Sequence, residues 1–306
     1  KNIWLFIGNQ EIENYLKSEL QWSRKKMNIL SKSINSDLSS IDFNAIEGIF
    51  TNRFDQMNND MFDKLLKLKK IGIKILSIEN WCENYLQRFP PEIITKKFFI
   101  RRNFKITHGS IQLRIKRMGD FLFSIFLLLI TSPIILVASI LIYCEDRKSI
   151  IYKQERVGIN QSIFTVYKLR TMKTDSESGG IKWSSKNDPR VTFFGKFLRV
   201  FRIDELPQLI NVIKGEMSLI GPRPERPSFN VFLAKEIPHY NLRHIIKPGL
   251  SGWAQVNYPY GSSLADSNNK LGYDLFYICN YSLHLDLLIL FKTMRTVFSG
   301  KGSTPN

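Results

Sequence analysis

The sequence predicts two folded parts held to a membrane: a small α/β domain over residues 1–95 and a mixed α+β domain over 145–306. A basic linker (96–117) and a broken apolar helix (118–144) join them. Three observations carry this reading. Short apolar runs alternate with helical patterns through the first 95 residues, an uncharged 23-residue apolar segment follows, and the chain beyond it is dense in short strands and helices. At 306 residues with 43% hydrophobic and 23% charged side chains, the chain can build about two domains and is not a disordered polymer.

Asn2–Gly8 (NIWLFIG) and Ala45–Phe50 (AIEGIF) read as buried strands. Met61–Lys70 places apolar residues at 61, 62, 65, 66 and 68, a helical face, and Gly72 ends it before the strand pattern Ile73–Ile78. Trp81–Phe89 reads as a short helix closed by Pro90 and Pro91. The turn after the first strand is Gly8-Asn9-Gln10 and not GxGxxG. The backbone there lacks the glycines that admit a pyrophosphate, so no dinucleotide site is expected.

The linker is basic and irregular (KKFFIRRNFK, then RIKR), and Phe121–Tyr143 follows without a charge. As one helix, 23 residues would cross a hydrocarbon core of roughly 30 Å. Ser132-Pro133 stands at its midpoint, where proline removes a hydrogen bond, and Arg147, Lys148, Lys153 and Arg156 make the second flank as basic as the first. Basic flanks favour the cytoplasmic face, so a helix–break–helix that enters and leaves by one side satisfies both facts. The backbone groups freed at Pro133 can be taken up by Ser132, Thr131 or neighbouring protein. An ordinary kinked transmembrane helix is the alternative.

Phe193–Ile203 sets apolar residues at 193, 194, 197, 198 and 201 against Lys196, Arg199 and Arg202, a basic amphipathic helix suited to a membrane interface or to the surface of a core. Asp204-Glu205-Leu206-Pro207 follows directly. Asp is a favoured N-cap and proline fits a first turn, so capping of a short helix ended by Gly215 is one reading. The other is a phosphate-handling pair beside Arg199 and Arg202, one carboxylate attacking phosphorus while the other holds a divalent cation. Ser218–Glu225 (SLIGPRPE) presents Arg223 on a rigid turn, a planar fork matched to phosphate, and Lys247–Val256 is a second turn with an exposed-looking Trp253. Tyr273–Phe298 is aromatic and apolar, reading as core or as an interfacial belt.

These segments together resemble the bacterial polyprenyl-phosphate glycosylphosphotransferases, the sugar transferases of exopolysaccharide, capsule and O-antigen assembly. The resemblance rests on KRMGDFLFS (116–124), Ser132-Pro133, YKQERVG (152–158), YKLRTM (167–172), LRVFRIDELPQLINVIKGEMSLIGPRPE (198–225) and KPGLSGWAQVNYPYG (247–261), in that order. Within them Ile203 and Ser251 stand where leucine and threonine are common. The resemblance implies that Asp204 attacks the β-phosphate of a UDP-sugar and releases UMP, with Glu205 as the partner carboxylate associated with Mg2+. The phosphosugar then passes to undecaprenyl phosphate. Arg199 would hold the lipid phosphate, and Arg223, Lys168 and Arg170 the nucleotide diphosphate. Ser132-Pro133 would be the break of a re-entrant helix that keeps a monotopic catalytic domain on the cytoplasmic face of the inner membrane. The first 95 residues resemble the degenerate Rossmann-like domain of the family's long form, which usually carries transmembrane helices upstream; here the chain opens on Lys1.

Composition bounds the rivals. Three cysteines without CxxC spacing argue against a disulfide framework or structural zinc, and the histidines form no HExxH pair. The +17 net charge, from 44 Lys and Arg against 27 Asp and Glu, suits anionic partners. Much of it collars an apolar segment, so a membrane and phosphorylated substrates are expected and nucleic acid is not. A catalytically silent membrane scaffold is the remaining alternative; a homodimer is left open.

Overall fold

The computed structural model describes residues 2–22, 26–34, 36–39, 41–102, 110–174, 188–259, 261 and 263–299. The chain forms two compact units, residues 1–98 and 99–306.

In the first unit β1 (Ile3–Ile7), β2 (Asn28–Lys32), β3 (Gly48–Thr51) and β4 (Lys74–Ser77) pair in parallel in the order β2-β1-β3-β4. Parallel neighbours need crossover connections. Helix α1 (Gln10–Glu19) lies between β1 and β2 in the chain, and α2 (Asn59–Lys70) between β3 and β4. The Asn58 side chain caps α2 by accepting from the Met61 amide at 2.9 Å. Trp4, Leu5, Phe6 and Ile7 are all fully buried, which explains the unbroken apolar run of β1. Leu5 and Ile7 pack with Ile49, Met61 and Leu65. Trp4 meets Phe50 edge-on at 6.1 Å, and Phe50 stacks on Trp81 at 4.3 Å. After β4 come α3 (Ile78–Trp81) and a π turn, Cys82–Leu86.

The segment expected to be an irregular linker is helical at both ends. Helix α4 (Lys96–Arg101) occupies its start, and α5 (Ile111–Asp146) begins inside it; residues 103–109 lie outside the described residues. Its charges are anchors. Lys116 pairs with Asp286 at 2.7 Å, and Arg117 donates to the Val212 and Ile213 carbonyls at 2.5 and 2.7 Å. One turn on, Asp120 accepts from the Ser218 hydroxyl at 2.7 Å and the Leu219 amide at 3.2 Å.

Helix α5 runs 36 residues, about 54 Å at 1.5 Å per residue, and its helical assignment continues through Pro133. Ser132-Pro133 therefore does not divide the segment into two separate helices, and any change of direction there is a bend within one helix. Its local chemistry accounts for this: Pro133 supplies no amide for the Leu129 carbonyl, and the Ser132 hydroxyl donates to that carbonyl at 2.7 Å. Thr131 donates likewise to Leu127 at 2.7 Å. Among the described residues α5 is the one helix long and apolar enough to cross a membrane, and most of its apolar surface is exposed.

Beyond α5, β5 (Ile151–Val157) and β6 (Ile163–Leu169) form an antiparallel hairpin. Helix α6 (Phe193–Val200), a 3-10 turn (Ile203–Gln208) and α7 (Leu209–Lys214) follow, and Gly215 ends α7 with φ +86°. Strand β7 (Ser218–Ile220), α8 (Pro227–Glu236), β8 (Gly249–Ser251), α9 (Trp253–Asn257), α10 (Leu264–Cys279) and α11 (Leu283–Phe298) complete the unit, with β7 and β8 parallel. Trp253, expected at the surface, is buried: it stacks on Phe276 at 5.8 Å and carries the Lys292 ammonium over its ring at 4.1 Å.

Candidate active site

The site begins where α6 stops. Arg202 adopts the left-handed conformation (φ 56°), a strain of order 1 kcal/mol for a non-glycine residue, and turns the chain into the 3-10 turn that carries Asp204 and Glu205. Neither acid caps a helix: no side-chain cap bond is present at the turn or at α7. The capping explanation of the DELP sequence is thereby removed.

The two adjacent carboxylates, both buried, stand in opposite conditions. Both Glu205 oxygens are engaged. Oε1 receives Lys168 Nζ at 3.2 Å and Arg223 Nη2 at 2.5 Å, while Oε2 receives Arg202 Nη2 at 3.1 Å. Burial acts to raise its pKa, but Arg202, Arg223 and Lys168 outweigh it and hold the carboxyl well below the usual range. For Asp204, no donor among the described residues lies within hydrogen-bond distance. Burial, and then the charge of Glu205, push its pKa up to about 6 against the pull of Lys168, Arg199 and Arg202. Burial likewise brings Lys168 down to about 8, although Glu205 opposes this.

Each cation is placed by its element. Lys168 lies on β6 opposite Tyr152 of β5, so it shares a sheet face with Gln154 and Arg156. Arg156 donates to the Pro224 carbonyl at 2.9 Å and to Gln154 Oε1 at 2.6 Å, and burial lowers its pKa to about 10. Arg223 is braced from behind: buried Arg243 donates to the Arg223 carbonyl at 2.8 Å, to Asp274 at 2.9 Å and to the Tyr240 hydroxyl at 2.6 Å. Burial raises Asp274 to about 6 in spite of Arg243.

Arg199 donates from Nε to Thr171 Oγ1 at 2.9 Å. That contact depends on Gly195, where a Cβ would stand 2.3 Å from the Thr171 carbonyl. Of the residues predicted from sequence, Lys168, Asp204, Glu205 and Arg223 thus come together, with Arg199 acting on Asp204 through its charge. Arg170 does not join them; its guanidinium pairs with Asp146 at the end of α5 and reaches Thr174 at 3.3 Å. The roles of Arg156, Arg243 and Asp274 were not foreseen. The period-two polar face Tyr152-Gln154-Arg156 was the signal for the first; the buried Arg243–Asp274 pair spans 31 residues and left none.

Among the described residues, Ser132 and Pro133 share no hydrogen bond with the charged centre; Pro133 lines an apolar cavity instead. That cavity, of about 310 Å³, is lined by Pro133, Val137 and Leu141 of α5, Phe194 and Leu198 of α6, and Ile203. Phe193 and Phe197 are 80% and 58% exposed, so the apolar face of α6 does not simply cover a core.

A divalent cation is a further test of the dyad. Among the described residues there is no cluster of three or more metal-ligating side chains. Mg2+ commonly takes one or two carboxylates and completes its shell with water and substrate phosphate oxygens. Asp204 beside Glu205 fits that mode, provided one cation yields its place on Glu205.

The family model described as bacterial sugar transferase matches residues 111–300. The UDP-N-acetylgalactosamine-undecaprenyl-phosphate N-acetylgalactosaminephosphotransferase of Aeromonas hydrophila is 46% identical over 189 residues, 62% of this chain and 45% of that protein. The UDP-glucose:undecaprenyl-phosphate glucose-1-phosphate transferase of Klebsiella pneumoniae is 38% identical over 197 residues, 64% of this chain and 42% of that protein. The exopolysaccharide production protein PSS of Rhizobium leguminosarum bv. phaseoli is 36% identical over 195 residues, 61% of this chain and 98% of that protein. The chain spans less than half the length of the first two relatives.

Proposed function

Because the chain belongs to the bacterial sugar transferase family, we propose that it moves a sugar 1-phosphate from a UDP-sugar to undecaprenyl phosphate at the cytoplasmic face of the inner membrane, starting a polysaccharide repeat unit. The observation that carries this reading is the asymmetry of the dyad, an unengaged buried Asp204 beside a Glu205 held by three cations.

Asp204 Oδ attacks the β-phosphorus, the bond from that phosphorus to the bridging oxygen breaks, and UMP leaves with the electron pair. An oxygen of undecaprenyl phosphate then attacks the same phosphorus, releasing the Asp204 carboxylate and forming the lipid diphosphate sugar. Lys168 and Arg223 neutralise donor phosphate oxygens, and Arg199 holds the lipid phosphate. Mg2+, held by Glu205 and phosphate oxygens, supplies further charge neutralisation when bound. The basic ends of α5 stay on one side of the bilayer as a re-entrant segment, which requires the helix to bend sharply at Ser132-Pro133, and the apolar cavity beside Ile203 then lies at membrane level. A charged donor and a greasy acceptor then meet where α6 ends.

The test is UMP release by the purified protein with undecaprenyl phosphate, Mg2+ and UDP-N-acetylgalactosamine or UDP-glucose. Lipid-dependent release that disappears in Asp204→Asn is expected. Without the lipid, label from the sugar phosphate stays on the wild-type protein and is removed by hydroxylamine, as an acyl phosphate requires. Equal turnover by Asp204→Asn on a productive donor overturns the assignment of the nucleophile.

A further inference from the structure

Next to the dyad lies a small polar niche lined by Arg156, Val166, Lys168, Gln208, Arg223 and Pro224. Its enclosed volume, about 10 Å³, is the space of about one water-sized atom. No acidic side chain lines it, and neither Asp204 nor Glu205 is part of its wall. Three of its walls are cations. The fourth polar wall is Gln208, which is 3% exposed and whose Nε2 has no hydrogen-bond partner. A buried amide left without an acceptor costs free energy that the folded chain has no structural reason to bear. Gln208 closes the 3-10 turn that carries Asp204 and Glu205, so the same turn sets the orphan donor and the carboxylates.

We infer that this niche receives one non-bridging phosphoryl oxygen of the departing nucleotide, with Gln208 Nε2 completing the donor set made by Arg156, Lys168 and Arg223. The inference rests on the reading of Asp204 as nucleophile and refines it. A niche that excludes both carboxylates serves the phosphate that is not under attack. When the bond between the β-phosphorus and the bridging oxygen breaks, negative charge collects on UMP, and donors already fixed around one of its oxygens stabilise that charge. The volume admits an oxygen and not a whole phosphate group, so the rest of the nucleotide lies outside the niche. Arg156 and Gln208 take the part that the sequence suggested for Arg170, whose guanidinium is committed to Asp146.

The experiment measures equilibrium binding of UMP, inorganic phosphate and uridine to the full chain in detergent by calorimetry, for wild type, Gln208→Leu and Gln208→Glu. Binding of product needs no turnover, so the outcome is independent of whether Asp204 is the nucleophile; that question stays with the UMP-release assay. Gln208→Leu should weaken UMP and phosphate by roughly 10-fold or more, leave uridine unchanged, and keep or raise the melting temperature, because an orphan donor is removed. Gln208→Glu places a carboxylate among the cations. It should raise the melting temperature and abolish phosphate binding. If Gln208→Leu binds UMP as wild type does, the niche holds only a structural water and the inference fails. It fails equally if uridine weakens as much as UMP, or if Gln208→Glu, folded, still binds phosphate at wild-type strength.

Discussion

Two neighbouring acids that differ so sharply in their surroundings should respond in opposite directions to loss of charge. In Asp204→Asn the rise of the native pKa from 3.8 to about 6 sets the scale: at a pH above both values it corresponds to roughly 3 kcal/mol by which the ionised group disfavours folding. The sign follows from proton counting. Between about pH 4 and 6 the native state binds more protons at this group than the unfolded state, so the group's contribution to stability falls as pH rises through that window. Asparagine removes the contribution, and the variant should exceed wild type by about 1–3 kcal/mol at pH 7.5 and converge on it near pH 4. Glu205→Gln removes the shared partner of Lys168, Arg202 and Arg223. Breaking buried ion pairs typically costs 3–5 kcal/mol, and because a third of the Arg223 side chain is exposed, about 3 kcal/mol is expected. Denaturant unfolding of both variants in one detergent, at pH 4.5, 6 and 7.5, measures both effects. A destabilised Asp204→Asn at pH 7.5, or a gain that does not change with pH, would refute the reasoning.

Other elements make their own predictions. Thiol labelling in oriented vesicles tests the course of α5: native Cys144, exposed near its end, and Ser110→Cys, at its start, should both be labelled from the cytoplasmic side, whereas labelling from opposite sides means a spanning helix. Asp274→Asn strands the buried Arg243 that braces the Arg223 carbonyl; a loss of about 3–5 kcal/mol in denaturant unfolding is expected, and one below about 1 kcal/mol removes Asp274 from the brace. His244 is lowered to about 4 by burial and by Arg243, so the native state binds fewer protons there. Its contribution is complete above about pH 6.5 and is lost as pH falls toward 4, by up to roughly 3 kcal/mol. Unfolding curves should therefore show wild type losing more stability than His244→Asn across that interval; parallel curves contradict the assignment.

What could be read from sequence tracks how local the physics is. β1 and β3 were legible because a buried parallel strand is a short apolar run, the edge strand β4 because Gly72 separates its apolar residues from the helix before it, and α2 because its face repeats every three to four residues. β2 was not, since NILSK on a sheet edge buries only Ile29 and carries no run to find. The segment 96–117 misled because basic residues suggest solvent, whereas Lys116 and Arg117 reach acceptors 95 to 170 residues away. The same limit applies in the site. Asp204 and Glu205 were found as a pair beside Arg202, but their difference also comes from Lys168 on β6 and Arg223 in the turn after β7, 37 and 18 residues from Glu205.

In the proposed reaction that difference has a functional reason in electrostatics. A nucleophilic carboxylate must approach a phosphate already surrounded by negative charge. An acid neutralised by three cations, as Glu205 is, has little charge to deliver, and its departure would leave those cations uncompensated. As the proposed nucleophile, Asp204 would have no bond to break before attacking, and its raised pKa is the cost of holding it so. In this arrangement Glu205 is better suited as the counterweight that keeps Lys168, Arg202 and Arg223 gathered before substrate arrives. As a diphosphate enters, its oxygens can replace Glu205 on Lys168 and Arg223 one bond at a time, so the charges that stabilise the leaving nucleotide are in place without being imported from solvent. The strain at Arg202, which turns α6 into the dyad, fixes the point where the apolar side of that helix gives way to this charged cluster.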